Sequence, residues 1–296
     1  MQYVLNRDAM PEAIAGNLQA YSWSFSHFFL WRGGRILFDC GEGTAIRLDS
    51  HVFRAEVLAL SHAHSDHCRG LLGFLEARAG LKGDNEKPLT IVYPAESAAM
   101  TRWIDPAKGL CERRGLEFVT FHPIRDGESV GLRNQRQLTA RVVPHQPGET
   151  CLAYRIGRTR SRLKEAYRAL AGPEIATLAR TMPQHELKED YVECELAYSG
   201  DTEHLDPAFC MGAQVLIHEA SFLDAADADA EKGIHADVPT ALQCAIDANV
   251  RALVLFHGSR RYGIDMFIAG IRAQIESMGV SVPVVLIRGS YSVLTD

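Results

Sequence analysis

The segment His62-Ala63-His64-Ser65-Asp66-His67 places four metal-binding side chains within six residues. Imidazole nitrogen and carboxylate oxygen suit zinc and similar divalent ions. The stretch before it, Glu56 to Ser61, is a short apolar run that predicts a buried strand, and after Gly70 the pattern turns helical through Ala79. The cluster is therefore expected on a loop at a sheet edge, delivered there by the strand. Spaced one apart, His62 and His64 can face one ion, while Asp66 and His67, a step further on, can face a second. A His-rich surface loop is the alternative reading of the same residues.

Further candidate ligands stand where other apolar runs end. His145 follows Arg141-Val142-Val143-Pro144, Asp201 follows Leu196-Ala197-Tyr198-Ser199-Gly200, and His257 follows Leu253-Val254-Leu255-Phe256. Taken singly, each is equally a capping or surface residue. Taken with the first cluster, they are polar residues at the same kind of strand end.

Strands are expected at Tyr21 to Trp31 and Arg35 to Asp39, joined as a hairpin through Gly33-Gly34. Cys40-Gly41-Glu42-Gly43-Thr44 reads as a tight turn into a short helix, its glycines supplying positive φ. Further strands are expected at 89–93, 116–121, 137–143, 151–156, 195–199, 214–217, 252–256 and 282–287. Helices are expected near 95–114, 161–181, 238–248 and 264–278, with Pro239 in a first turn, where proline is tolerated. Strands in both halves with interleaved helices imply two packed sheets with helices outside.

A net charge of -6 leaves only local basic patches for meeting nucleic acid. Seven cysteines, odd in number and scattered, read as reduced thiols. Residues Met1 to Gly16 include acidic side chains and no apolar signal core, and no apolar run reaches membrane-spanning length. A cytoplasmic protein with no membrane partner is the expectation.

The segments Phe38 to Thr44, Ser61 to His67, His145, Tyr198-Ser199-Gly200-Asp201-Thr202, Leu216-Ile217-His218-Glu219-Ala220, His235 and His257 to Tyr262 resemble the metallo-β-lactamase superfamily. Within it they are most similar to the ribonuclease Z (tRNA 3′-processing endonuclease) group. The resemblance covers most of the chain and implies an α+β fold, a four-layer αββα sandwich, as a single domain over 1–296. It implies one ion held by His62, His64 and His145, a second held by Asp66, His67 and His257, and Asp201 bridging them. The pair would be two divalent ions, zinc or alternatively manganese, generating hydroxide from a shared water and clamping a phosphodiester. Asp66 would orient or deprotonate that water. His235 would help protonate the leaving oxygen, with Glu219 fixing its tautomer. Ser259, Arg260 and Arg261 would lie by the phosphate, where a guanidinium makes a bidentate contact. The implied activity is a metal-dependent phosphodiesterase or endoribonuclease acting on RNA. The alternative is a small-molecule hydrolase of the same fold, acting on a cyclic nucleotide, another phosphodiester, a lactone or a thioester. A homodimer is also implied.

The chain departs from that group at named places. It opens Met1-Gln2-Tyr3-Val4-Leu5-Asn6 instead of a Gly-rich first strand, has Ser221 where threonine is typical, and has Gly258 after His257 where an aromatic is usual. His235 is followed by Ala236-Asp237 instead of a Ser-Thr pair. Between His145 and Asp201 the tRNA enzymes carry a Gly/Pro-rich arm that grips the tRNA elbow. Here a helical insertion is expected at about 158–194. Arg155, Arg158, Arg160, Arg162, Lys164 and Arg168 form a basic stretch in the same interval, read either as a phosphate-binding surface or as a solvated face.

Overall fold

The structure is a computed structural model that describes residues 2–4, 11–81, 87–226 and 234–291. Its strands are β1 (Gln2–Val4), β2 (Leu18–Trp23), β3 (Ser26–Trp31), β4 (Ile36–Phe38), β5 (Val57–Ala59), β6 (Leu89–Pro94), β7 (Val119–Ile124), β8 (Ser129–Leu132), β9 (Arg136–Val143) and β10 (Cys151–Leu163). They continue with β11 (Lys188–Tyr198), β12 (Val215–Glu219), β13 (Leu253–Phe256), β14 (Val284–Ile287) and β15 (Gly289–Tyr291). The helices are α1 (Thr44–Leu48), α2 (Ser65–Cys68), α3 (Leu71–Leu81), α4 (Thr101–Arg114), α5 (Gly172–Thr181), α6 (Gln184–Leu187), α7 (Val238–Asp247) and α8 (Ile264–Ser277). None is long and apolar enough to cross a membrane, among the described residues.

Two sheets form. One runs β15-β2-β3-β4-β5-β6-β7 and the other β1-β14-β13-β12-β11-β10-β9-β8. The β4, β5, β6 and β7 strands pair in parallel, as do β11, β12, β13 and β14. Parallel pairing demands covered faces, and the burial pattern meets it: β5, β12, β13 and β14 are buried at every residue. Phe29, Phe38, Tyr154, Tyr198, Val254 and Phe256 interleave between the sheets. Outside the first sheet, α1, α3 and α4 cover Leu37, Leu58 and Ile91. Outside the second, α7 and α8 cover Leu216, Leu253 and Leu255. The result is the αββα sandwich.

The structure differs from the sequence reading in local detail. Residues 21–31, read as one strand, fold into a hairpin of their own. Ser24 turns it with a φ of 48°, and β2 pairs with β3 from Leu18↔Trp31 to Trp23↔Ser26. No glycine or proline marks that turn. Asp66 and His67 lie on the single-turn helix α2, not on an open loop. Of the two turn glycines, Gly43 has the expected positive φ of 75°, but Gly41 does not. Gly41 is needed for close approach: a Cβ there would lie 2.2 Å from the Asp66 carbonyl oxygen and 2.5 Å from the His27 nitrogen.

The insertion expected as helix over 158–194 has a two-stranded stem, and its helices lie beyond that stem. Beyond a bulge at Ile156/Gly157, β10 and β11 continue as a two-stranded arm, pairing Arg158↔Glu193 through Leu163↔Lys188, and only the tip carries α5 and α6. Cross-strand ion pairs hold the arm in place of apolar burial: Arg160 to Glu193 at 3.0 Å and Arg162 to Glu189 at 2.8 Å. The guanidinium of Arg168 contacts both Glu165 and Glu189.

Two glycines next to the His cluster separate steric need from helix propensity. A Cβ on Gly70 would lie 2.0 Å from the Gly41 carbonyl oxygen, whereas one on Gly73 meets nothing within 4 Å. Gly70→Ala is expected to destabilise the fold by about 3 kcal/mol or more, because backbone blocks it. Gly73→Ala, inside α3, is expected to be neutral or to stabilise by about 0.5–1 kcal/mol. Thermal denaturation of both variants checks the pair.

Candidate metal centre

The ends of strands from both sheets meet at one place. From the first sheet, β5 hands the chain to His62 and His64, and the first turn of α2 supplies Asp66 and His67. From the second, β9 leads to His145, β11 to Asp201 and β13 to His257. Two of these exits pass through left-handed backbone, Gly200 before Asp201 at a φ of 61° and His257 at 64°, and so does the end of β4 at Asp39, at 56°. Left-handed residues at a strand end turn the chain sharply out of the sheet plane. At Gly200 a Cβ would lie 2.9 Å from the Leu152 carbonyl oxygen, so glycine is required there.

Among the described residues the donor atoms fall into two adjoining groups of four, with a third set of Asp201, His235 and His257 between them. His62, His64, His145 and Asp201 offer ligand atoms within 4.8 Å of one another, and so do His27, Asp66, His67 and His257. Asp201 stands between them: its Oδ2 is 3.7 Å from His62 Nε2, 3.3 Å from His67 Nε2 and 3.2 Å from His257 Nε2. The structure thus brings together all seven residues named as metal ligands from the sequence. It adds His27, the second residue of β3, which sequence reasoning passed over.

The chemistry of this pocket fits a pair of cations. His62 Nε2, His67 Nε2 and both Asp201 carboxylate oxygens are buried without a hydrogen-bond partner. Buried polar atoms of this kind are costly unless something satisfies them. Burial pushes His62 well below its usual pKa, leaving a neutral ring. Burial works to raise Asp201, but His257 and His67 outweigh it and hold the carboxyl well below the usual range. Burial likewise works to lower His67, yet Asp201, Asp66 and Asp39 raise it well above its usual value. Neutral imidazoles and ionised carboxylates are the forms that ligate.

Behind the donors, two carboxylates set ring tautomers. Asp39, fully buried, accepts from the Ser61 backbone N–H at 2.7 Å, Ser61 Oγ at 2.8 Å, His67 Nδ1 at 2.6 Å and the Tyr198 hydroxyl. Ser61 Oγ in turn accepts from His62 Nδ1 at 2.9 Å. One carboxylate therefore turns the Nε2 lone pairs of both His62 and His67 into the site. Glu219 does the same on the other side. It accepts from His235 Nδ1 at 2.9 Å and from Ser221 Oγ at 2.8 Å, and Ser221 Oγ lies 2.8 Å from His257 Nδ1. His145 Nδ1 donates to the Ile234 carbonyl at 2.9 Å, leaving its Nε2 3.4 Å from His64 Nδ1. Outer partners of this sort orient ligands and raise their basicity. The role of Asp39 is not visible in sequence, because its partners lie 22, 28 and 159 residues away.

His235 stacks on His257 at 4.8 Å between centroids, with its Nδ1 3.9 Å from Asp201 Oδ2. Ser259 and Arg260 line a pocket of about 130 Å³ together with Ser22, Trp23, His27 and His257. Arg261 instead lays its guanidinium over the Phe222 ring at 4.8 Å. On the other side of the site, His64, Ser65, Asp66, Arg69, Arg102 and Trp103 line a wider cleft of about 370 Å³.

A family model described as "Beta-lactamase superfamily domain" matches residues 34–165. The ribonuclease Z of Gemmatimonas aurantiaca is 30% identical over 258 residues, covering 79% of this chain and 79% of that one. Among solved structures, the metallo-β-lactamase fold protein YhfI from Bacillus subtilis aligns with a TM-score of 0.63 at 17% identity, over 93% of this chain and 98% of that one. Human tRNase Z, short form, aligns with a TM-score of 0.54 at 21% identity, over 83% and 92%. At these identities the two structures speak to the fold.

Asp39→Asn keeps the shape of the side chain but turns an amide N–H toward groups that already donate. It is expected to weaken metal binding by about 10- to 100-fold, as read by zinc titration against a competing chelator. Unchanged affinity would show that Asp39 does not position the ligands.

Proposed function

Because the chain belongs to the ribonuclease Z-like group of the metallo-β-lactamase superfamily, we propose that its paired donor groups form the active site of a metal-dependent phosphodiesterase, an endoribonuclease. The observation that carries this reading is the buried, unpartnered Asp201 carboxylate within 3.7 Å of imidazoles from both donor groups. A bound pair of divalent ions would activate water at neutral pH and offset charge on the phosphate oxygens.

The chain's own residues do the rest. His62, His64 and His145 hold one position, Asp66, His67 and His257 the other, and Asp201 serves both. Asp66 is half-buried, and its carboxyl is held well below the usual range; burial opposes this, and the charge of His67 with contacts from His257 and His27 overcomes it. It is thus an ionised acceptor beside the place where water must be oriented. His235 gives its proton to the leaving oxygen. Glu219 locks the ring through Nδ1 and stabilises the charge the ring carries before transfer. Arg260, on the rim beside His257, is placed to meet a phosphate oxygen. Ligands from both sheets make the chain one working unit. Zinc as the resident pair, manganese as its substitute, a cytoplasmic location for a protein whose cysteines are all free thiols, and a homodimer complete the reading.

One observation favours a second reading, a small phosphodiester in place of RNA. The arm's guanidinia are answered by carboxylates, with Arg136 and Arg158 on Glu195 as well as the pairs along β10 and β11. A face neutralised in this way offers fewer free cations to a nucleic-acid backbone.

The test uses bis(p-nitrophenyl) phosphate, a lactone, and a precursor tRNA with a 3′ trailer, each with protein of known metal content. Turnover of the phosphodiester and the trailer, and none of the lactone, is expected; turnover of the lactone alone overturns the reading. Asp201→Ala is expected to lose metal and activity together. His235→Ala is expected to keep its metal and lose about 10²- to 10⁴-fold in turnover, the range for a general acid; full activity would remove His235 from that role.

A further inference from the structure

His27 lies on β3 and is 2% exposed, a buried imidazole in a strand otherwise made of Ser26, Phe28, Phe29, Leu30 and Trp31. Its ring centroid is 4.9 Å from that of His67 and 4.6 Å from that of His257. Its Nε2 is 3.5 Å from Asp66 Oδ2, and the same oxygen is 3.5 Å from His67 Nε2 and 3.5 Å from His257 Nε2. A well-made N–H···O bond is shorter, about 2.7–3.2 Å. Three imidazole nitrogens equally far from one carboxylate oxygen match donors around a common ion instead, since atoms about 2.0–2.2 Å from one zinc lie roughly 3–4 Å apart.

The back of the ring is built like its neighbours'. His27 Nδ1 is 2.9 Å from Ser22 Oγ, as His62 Nδ1 is 2.9 Å from Ser61 Oγ and His257 Nδ1 is 2.8 Å from Ser221 Oγ. Ser22 Oγ also accepts the His257 backbone N–H at 3.1 Å, which ties His27 to the other sheet's ligand. An imidazole that gives its Nδ1 proton to a seryl oxygen keeps its Nε2 lone pair for a ligand.

From this geometry, and resting on the dinuclear reading above, we infer that His27 is an additional protein ligand of the second metal position, beside Asp66, His67, His257 and the shared Asp201. The consequence is an asymmetric pair. The second position then has five protein groups, counting the shared Asp201, and the first has four, so the more open position that catalysis needs falls to the site of His62, His64 and His145. The second ion is then the tightly held one.

His27→Gln preserves bulk and can still bond Ser22. Parent and variant, stripped and reloaded, are titrated with Zn²⁺ against a chelator and with Co²⁺ followed by its visible absorption, while melting of the two metal-free proteins reports on the fold. The expected result is two ions per parent chain, a 10- to 100-fold weaker affinity for one of them in His27→Gln, a changed Co²⁺ spectrum, and similar metal-free melting. Two ions bound with unchanged affinity and spectrum in the variant overturn this inference alone. A parent that holds no ion overturns the dinuclear reading and the inference with it. A crystal structure of the zinc-loaded parent decides independently of the variant: His27 Nε2 at about 2.0–2.1 Å from zinc supports the assignment, and an ion bound by the other residues with His27 turned away refutes it.

Discussion

Between the two sheets stands a carboxylate, Asp201, 1% exposed, with neither oxygen hydrogen-bonded and imidazoles of both donor groups around it. In a low-dielectric interior such a charge is stable only where cations balance it. The rest of the architecture follows from that demand. Parallel strands must be covered on both faces, so their side chains are spent on packing, and chemistry is left to the residues at their ends. Left-handed turns at Asp39, Gly200 and His257 fold those ends toward one point. Asp39 and Glu219 then set the rings from behind, each reaching one imidazole directly and a second through a serine hydroxyl.

The site was largely legible because its signals are local. His62-Ala63-His64-Ser65-Asp66-His67 is dense, and His145, Asp201 and His257 each terminate an apolar run, so their position could be read without knowing what they face. His27 was not legible: within Ser26 to Trp31 it reads as one polar residue in a buried strand. Only the pairing of β2 with β3 brings Ser22 behind it. Asp39 was quoted within a motif, but its four donors come from segments distant in sequence and its role exists only after folding.

The layers of the sandwich could be anticipated for a similar reason. Apolar runs bounded by glycine or polar residues marked the central strands to within a few positions. The helix expected over 161–181 survives as α5, but the stem of the arm was misread because its strands are largely exposed and rich in Arg and Glu. Charges meet across β10 and β11, and charge order across a hairpin leaves no periodicity along one strand. The turn at Ser24 failed likewise, since it uses a positive φ without glycine or asparagine.

The division of ligands between sheets carries a temporal consequence. His27, His62, His64, Asp66, His67 and His145 all precede Asp201 and His257 along the chain. A nascent amino-terminal half therefore carries imidazoles of both positions without the carboxylate that joins them. Metal capture before synthesis ends would be partial and reversible, and the arrival of β11 and β13 would convert it into the joined site. Completion of the centre thereby depends on the docking of one sheet on the other.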